Sequence, residues 1–268
     1  AEALAQQKNT WNSTARYESE DEMAAYFRAN RVRAVLDFGF TKTMSLDEVI
    51  PLHDYALEMQ AAHPDAILGN WLQIDPRLGE KGARELERCI QSSKGFVGYC
   101  VSASGMGFPA DDPHYGPYYE VLRAHARPAL ILVGHTGSGA GLPGGGGIRL
   151  ELCHPRYIDS VAVDWPDLTI ISGRPAWPWQ DEMISIMLHK PNVFAELHGW
   201  SPKYLTDPLK REIRSRLRRK VMFGGDYPLF RYERLVDDWK ALGYADDVLG
   251  DVFSGNAARL LGLLEGGA

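Results

Sequence analysis

Seven short apolar runs recur along this chain, and a stretch with helical spacing separates each from the next. The runs fall at residues 33–39, 66–74, 96–101, 129–135, 168–174, 193–198 and 221–223. Ala129-Leu-Ile-Leu-Val-Gly-His135 and Leu168-Thr-Ile-Ile-Ser-Gly-Arg174 are almost continuously apolar, as expected of strands covered on both faces. After the first run, Ser45 can cap a helix in which Val49, Ile50, Leu52, Tyr55, Ala56 and Met59 form an apolar stripe. Further helices are expected near 80–92, 118–125, 179–190, 231–242 and 245–263. Alternating strands and helices with buried strands predict an α/β fold with a parallel sheet. A doubly wound open sheet is the rival. No G-x-G-x-x-G follows the first run, and polar residues recur at strand ends, so a (β/α)8 TIM-type barrel is favoured. Eight strands close such a barrel and only seven are visible, so one strand is missing or unseen. No repeat or Pro/Ser-rich linker divides the sequence, so one domain over residues 1–268 is expected.

Composition narrows the partners. The 268 residues carry a net charge of −6, which gives no basic footprint for nucleic acid. The run Lys210-Arg-Glu-Ile-Arg-Ser-Arg-Leu-Arg-Arg-Lys220 reads as the solvated face of a helix. Three cysteines, Cys89, Cys100 and Cys153, make no C-x-x-C and no disulfide framework. They fit a reducing compartment, the cytoplasm. No apolar run is long enough to span a membrane. The first residues, Ala1-Glu-Ala-Leu-Ala-Gln-Gln-Lys8, lack the apolar core of a signal peptide and do not begin with Met. The expected partner is a small-molecule substrate. The glycine-rich stretch 137–147 lacks a Gly-Lys-Ser/Thr ending and reads as a loop over a barrel mouth rather than a nucleotide-binding loop.

The chemistry sits at the strand ends. His135, Arg174, Glu196, His198 and Asp226 each close an apolar run, and in a barrel such ends converge on one mouth. Imidazole and carboxylate are common ligands of a divalent metal that acidifies water or polarises a carbonyl. Asp226 follows Val221-Met-Phe-Gly-Gly and precedes Tyr-Pro, which leaves little side-chain bulk beside it. Glu196 and His198 are two residues apart and share a face, inward or outward. Arg174 suits a substrate carboxylate or an ion pair with Asp226 or Glu196. Trp177, Trp179, Trp200, Tyr204 and Tyr227 can wall an aromatic pocket or pack between loops and helices. Asp111-Asp112-Pro113 reads as a turn before a helix, and Asp37 as an unusual carboxylate within a strand.

From about residue 95 onward the chain resembles the amidohydrolase-related metal-dependent hydrolases and decarboxylases. The resemblance rests on His135-Thr-Gly137, Pro175-Ala-Trp-Pro-Trp179, His198-Gly-Trp-Ser-Pro-Lys-Tyr204, Phe223-Gly-Gly-Asp-Tyr-Pro228 and Asn256-Ala-Ala-Arg-Leu-Leu261. It implies a distorted barrel with one divalent metal, zinc before manganese, and a homodimer or other oligomer. It implies His135 as a metal ligand and Asp226 as a residue that binds metal and handles a proton. The chain departs from the family pattern twice. Arg174 stands where the family usually has a histidine, and the first-strand motif with two metal ligands is not visible. The expected activity is hydrolysis of a small carboxylated, lactone-like substrate, with Asp226 and Arg174 catalytic, His135 and Asp226 on the metal, and Arg174, Trp177, His198 and Tyr227 against the substrate. Two alternatives remain open: a decarboxylase of an aromatic or unsaturated acid, and a non-catalytic barrel subunit that pairs with another chain.

Overall fold

The computed structural model describes residues 17–262. The N-terminal stretch 1–8 and the last residue of the expected helix 245–263 lie outside them. Seven parallel strands pair in chain order. They are β1 (Ala34–Asp37), β2 (Ile67–Leu72), β3 (Phe96–Val101), β4 (Ala129–Leu132), β5 (Ile170–Gly173), β6 (Val193–Glu196) and β7 (Val221–Met222). Helix α1 (Glu20–Ala29) precedes β1, and helices run between the strands: α2 (Leu46–Ala62), α3 (Glu80–Ser92), α4 (Ala103–Met106), α5 (Gly116–Ala124), α6 (Arg156–Asp164), α7 (Gln180–His189) and α8 (Asp207–Ile213). After β7 come α9 (Tyr232–Lys240), α10 (Asp246–Gly250) and α11 (Asn256–Leu261), the last two joined by a π turn. The sheet curls into a TIM-type barrel. Among the described residues, β1 pairs only with β2 and β7 only with β6, so the closing strand is not seen.

Local chemistry explains the element boundaries. Ser45 does open α2, where its backbone N–H donates to Glu48 Oε2 at 2.9 Å. Asp112 accepts from the His114 N–H at 3.0 Å and starts the turn before α5. The cationic run is helical only through Ile213; residues 214–220 form turns. Lys220 is not simply solvated, because its ammonium donates to the Met187 and Lys190 carbonyls at 2.8 and 2.6 Å. α1 carries no strong apolar stripe and was not expected. It is fixed by Ser19, which accepts from the Glu22 N–H, and by Met23, Ala24 and Phe27, which bury against the barrel.

The core has two layers. Outward residues such as Leu72, Tyr99, Ile131, Ile170 and Val193 pack with Leu86, Tyr118, Ile158 and Met183 of the helices. Inward residues Trp71, Val97, Cys100, Leu130, Leu132, Ile171 and Met222 fill the barrel, with Ala257, Leu260 and Leu261 of α11 packed against them. Asn256 holds α11 at the start of β7 by donating to the Val221 carbonyl at 2.6 Å. The opposite end, at the strand C-termini, remains open.

Helices α2 and α3 are joined by a buried polar tie. His53 Nδ1 lies 2.7 Å from Glu85 Oε1, Cys89 Sγ donates to the same oxygen at 3.2 Å, and Arg88 Nε donates to Glu85 Oε2 at 2.7 Å. Burial opposes the Glu85 charge, but donors from His53, Arg88 and Cys89 outweigh it and hold the carboxyl at about 2. The folded-state value is depressed, so this stabilisation is present above about 4.5 and is lost as pH falls toward 2. Glu85→Gln is expected to cost about 3 kcal/mol at neutral pH and to flatten the acid limb of a urea-denaturation series. An acid limb as steep as in the unmodified chain would contradict this role.

Candidate active site

Each strand end delivers its side chain by a local device. The segment after β5 turns through the left-handed region at Arg174 (φ 74°) and Ala176 (φ 56°), and the segment after β7 does so at Asp226 (φ 53°). Such non-glycine conformations cost of order 1–3 kcal/mol each and cluster where side chains are aimed for function. Gly134 (φ 72°), just after β4, lets the two loops touch, since a Cβ there would lie 2.7 Å from the Ala176 backbone. The His135 N–H then donates to the Trp177 carbonyl at 2.7 Å.

The Gly224-Gly225 pair clears space beside Asp226. A Cβ on Gly224 would sit 1.4 Å from Glu196 Oε1, and one on Gly225 would sit 2.2 Å from the Tyr232 ring. The small residues therefore admit the Glu196 carboxylate and the Tyr232 ring into the barrel wall.

These ends surround a cavity of about 1300 Å³ that is also lined by β1 and by residues just after β7. Arg174, Glu196, His198, Asp226 and Tyr227 all line it. The open question of face is thus resolved: Glu196 and His198 point inward. Glu196 holds His198 at two points, accepting from its backbone N–H at 2.9 Å and meeting Nδ1 at 2.5 Å. Burial disfavours the charged ring, but the Glu196 carboxylate and then Asp226 outweigh burial and the Arg174 cation. The imidazole is therefore raised above its ordinary value.

Arg174 makes no ion pair among the described residues, and its Nη1 is buried with no acceptor. The structural alternative, a bridge to Asp226 or Glu196, is not what the geometry shows. A partly buried guanidinium without its acceptor is costly, and a bound anion offsets that cost.

Two expected residues stand apart. His135 and Trp177 do not line the cavity. They form an outer rim, with the His135 ring edge-on to Trp177 at 5.7 Å and to Trp200 at 6.2 Å. Trp177 and Tyr204 are exposed there. Tyr227 lies inside, stacked on Tyr26 at 4.7 Å and on Tyr232 at 6.0 Å.

The described donors do not fit a complete metal site at the mouth. Among the described residues, the one set of three His, Cys, Asp or Glu donors within 4.8 Å of one another is His53, Glu85 and Cys89. That set lies in the helix layer, is closed by Arg88, and has a thiol pushed well above its ordinary value by burial and by Glu85. Among the described residues, His135 and Asp226 belong to no such set.

Residue-level reasoning underrated the β1 end. Asp37 is the last residue of its strand, not an interior one, and it lines the same cavity. Gln73, just beyond β2, donates to both Asp37 oxygens at 2.8 Å. The missed signal was a Phe38-Gly39 pair that made the apolar run look longer than the strand.

Gly224→Ala is expected to expel the Glu196 carboxylate and lower the His198 pKa toward its ordinary value, read by NMR titration of the ring protons. An unchanged titration would show that Glu196 does not hold the imidazole charge.

The chain has similar relatives of known structure. An uncharacterized TIM-barrel protein from Bordetella bronchiseptica superposes with a TM-score of 0.75 at 17% identity, over 98% of this chain and 90% of that one. The 2,6-dihydroxybenzoate decarboxylase from Rhizobium gives 0.69 at 17% identity, over 94% and 90%. The 5-carboxyvanillate decarboxylase from Novosphingobium aromaticivorans, in complex with manganese, gives 0.71 at 16% identity, over 90% and 79%. At such identities the likeness establishes the fold. No curated protein sequence matches the chain. Among the described residues no helix is long and apolar enough to cross a membrane. The amidohydrolase family model matches residues 11–263, and with nearly the whole sequence covered, this chain belongs to the amidohydrolase family of enzymes.

Proposed function

We propose that this enzyme decarboxylates an aromatic or unsaturated carboxylic acid. The observation that carries the reading is the Arg174 guanidinium, unpaired among the described residues, in one cavity with Asp226 and His198. Arg174 holds the substrate carboxylate through charge-assisted hydrogen bonds. Asp226 relays a proton from the His198 imidazolium to the carbon that bears the carboxylate. The carbon–carbon bond then breaks, its electron pair returns to the substrate, and carbon dioxide leaves. His198, charged to higher pH by Glu196, returns a proton to Asp226. The decarboxylases among the similar structures support this reading.

Hydrolysis of a carboxylated lactone, the first expectation from the sequence, would use the same Arg174 grip with Asp226 as general base; the decarboxylases named above favour it less. Family membership as an enzyme disfavours the non-catalytic subunit. The family and the manganese-bearing neighbour support a divalent metal, and zinc or manganese would need donors beyond His135 and Asp226.

The test is carbon dioxide release from a panel of aromatic acids. Arg174→Gln is expected to lower kcat/KM by roughly 100-fold without lowering the melting temperature, because it removes an unpaired cation. Lost stability with unchanged turnover would make Arg174 structural. Turnover should also decline as pH rises through the raised His198 pKa, since the protonated ring is the working form, and Glu196→Gln should shift that decline to lower pH. A decline that stays in place would exclude His198 from proton delivery.

A further inference from the structure

The two loops that aim side chains into the mouth are held differently. The loop after β5 is braced by the β4 loop, through Gly134 and the His135 N–H. The loop after β7 has a paired strand on one side only, since among the described residues β7 pairs with β6 alone. Asp226 nevertheless holds φ at 53°, a conformation that persists where surrounding structure over-determines it. The Leu229 N–H donates to the Asp226 carbonyl at 2.9 Å and closes the turn. That bond is local: it shapes the turn without fixing its place in the barrel wall.

The brace comes from α1, at the other edge of the sheet. The Tyr26 ring stacks on Tyr227 at 4.7 Å, with the planes 19° apart, and on Tyr232 at 5.9 Å. Phe27 presses edge-on against the same two rings at 5.5 and 5.9 Å. Tyr227 follows Asp226 directly, and Gly225, on its other side, lies too close to the Tyr232 ring to admit a side chain. Both neighbours of Asp226 are therefore held by rings that α1 packs against.

The Tyr26 hydroxyl adds a second hold. Helix α9 starts at Tyr232, and its N-cap residue, Arg231, makes no side-chain capping bond. The first N–H groups of a helix need an acceptor from outside it. The Tyr26 hydroxyl accepts from the Tyr232 N–H at 3.0 Å and donates to Glu233 Oε2 at 2.7 Å. One side chain of α1 thus caps α9 and stacks on the loop that leads into it. Tyr26 does not line the cavity, so it meets the Asp226 loop from behind.

We propose that Tyr26 is a positioning residue for Asp226, strapping the loop after β7 to α1 so that the carboxylate is held in register with the substrate. This rests on the decarboxylation reading for what Asp226 does, but not for how Asp226 is held.

The test pairs hydrogen exchange with steady-state kinetics on the full chain. Tyr26→Phe keeps the stack and loses the cap; Tyr26→Leu loses both. The Leu229 amide, followed by NMR, is expected to exchange at least roughly ten-fold faster in Tyr26→Leu, and by less in Tyr26→Phe, while the amides of β4 and β5 keep their rates. In carbon dioxide release, Tyr26→Leu should lower kcat by roughly 100-fold and leave KM within about two-fold, because the Arg174 grip is untouched. Tyr26→Phe should recover most of that loss. Unchanged Leu229 exchange in Tyr26→Leu would overturn the inference, as would faster exchange with unchanged kcat, or a rise shared equally by β4 and β5. Were Tyr26→Leu to unfold, Tyr26→Phe would decide alone by the same two readouts. No carbon dioxide release from any acid by the unmodified protein would overturn the decarboxylation reading, and Leu229 exchange would then decide whether Tyr26 holds the Asp226 loop.

Discussion

A guanidinium with no acceptor among the described residues organises the mouth of this barrel. Arg174 sits where backbone in the left-handed region aims a side chain inward, with a second such residue, Ala176, two positions on. The arrangement persists because neighbouring loops hold it: Gly134 lets the β4 loop press against Ala176, and the His135 N–H closes on the Trp177 carbonyl. Left empty, such a position carries backbone strain and an unpaired buried nitrogen together. Filled by a carboxylate, the cation is satisfied and the strain serves to orient the anion.

The remaining groups are arranged around that cation without neutralising it. Glu196 is the nearest acid by position in the sheet, yet it is fully engaged with the His198 backbone and ring. Gly224 makes that engagement possible by leaving space that a methyl group would fill. Asp37 is likewise engaged by Gln73. Glu196 is therefore kept from bridging to Arg174 by its bonds to His198, and Asp37 by its place four strands away, so charge separation across the cavity is retained. This is electrostatic preorganisation: the donors and acceptors are fixed before the substrate arrives.

Much of this was legible in the sequence, for identifiable reasons. Buried parallel strands read as apolar runs, so all seven were found, and Ser45 marked the start of α2. The polar residue closing each run located the mouth. The shared face of Glu196 and His198 followed from strand alternation, but its direction depended on packing of Gly224, which no local pattern encodes. Helix α1 was missed because its stability comes from three residues buried against the barrel rather than from a long apolar stripe. Asp37 was undervalued because its partner, Gln73, lies 36 residues away. His135, read as a metal ligand through the resemblance, and Trp177, read against the substrate, meet Trp200 in the structure and are not among the residues lining the cavity.

The central claim is that Arg174 receives the carboxylate of a ring acid. A crystal structure of the protein with 4-bromobenzoate tests it directly, because anomalous scattering from bromine fixes which way the ring points. The account predicts carboxylate oxygens within about 3 Å of the Arg174 guanidinium nitrogens and the bromine directed toward the β1 wall. A ring reversed in the cavity, or seated at the Trp177–Trp200 rim with Arg174 still unpaired, would contradict it.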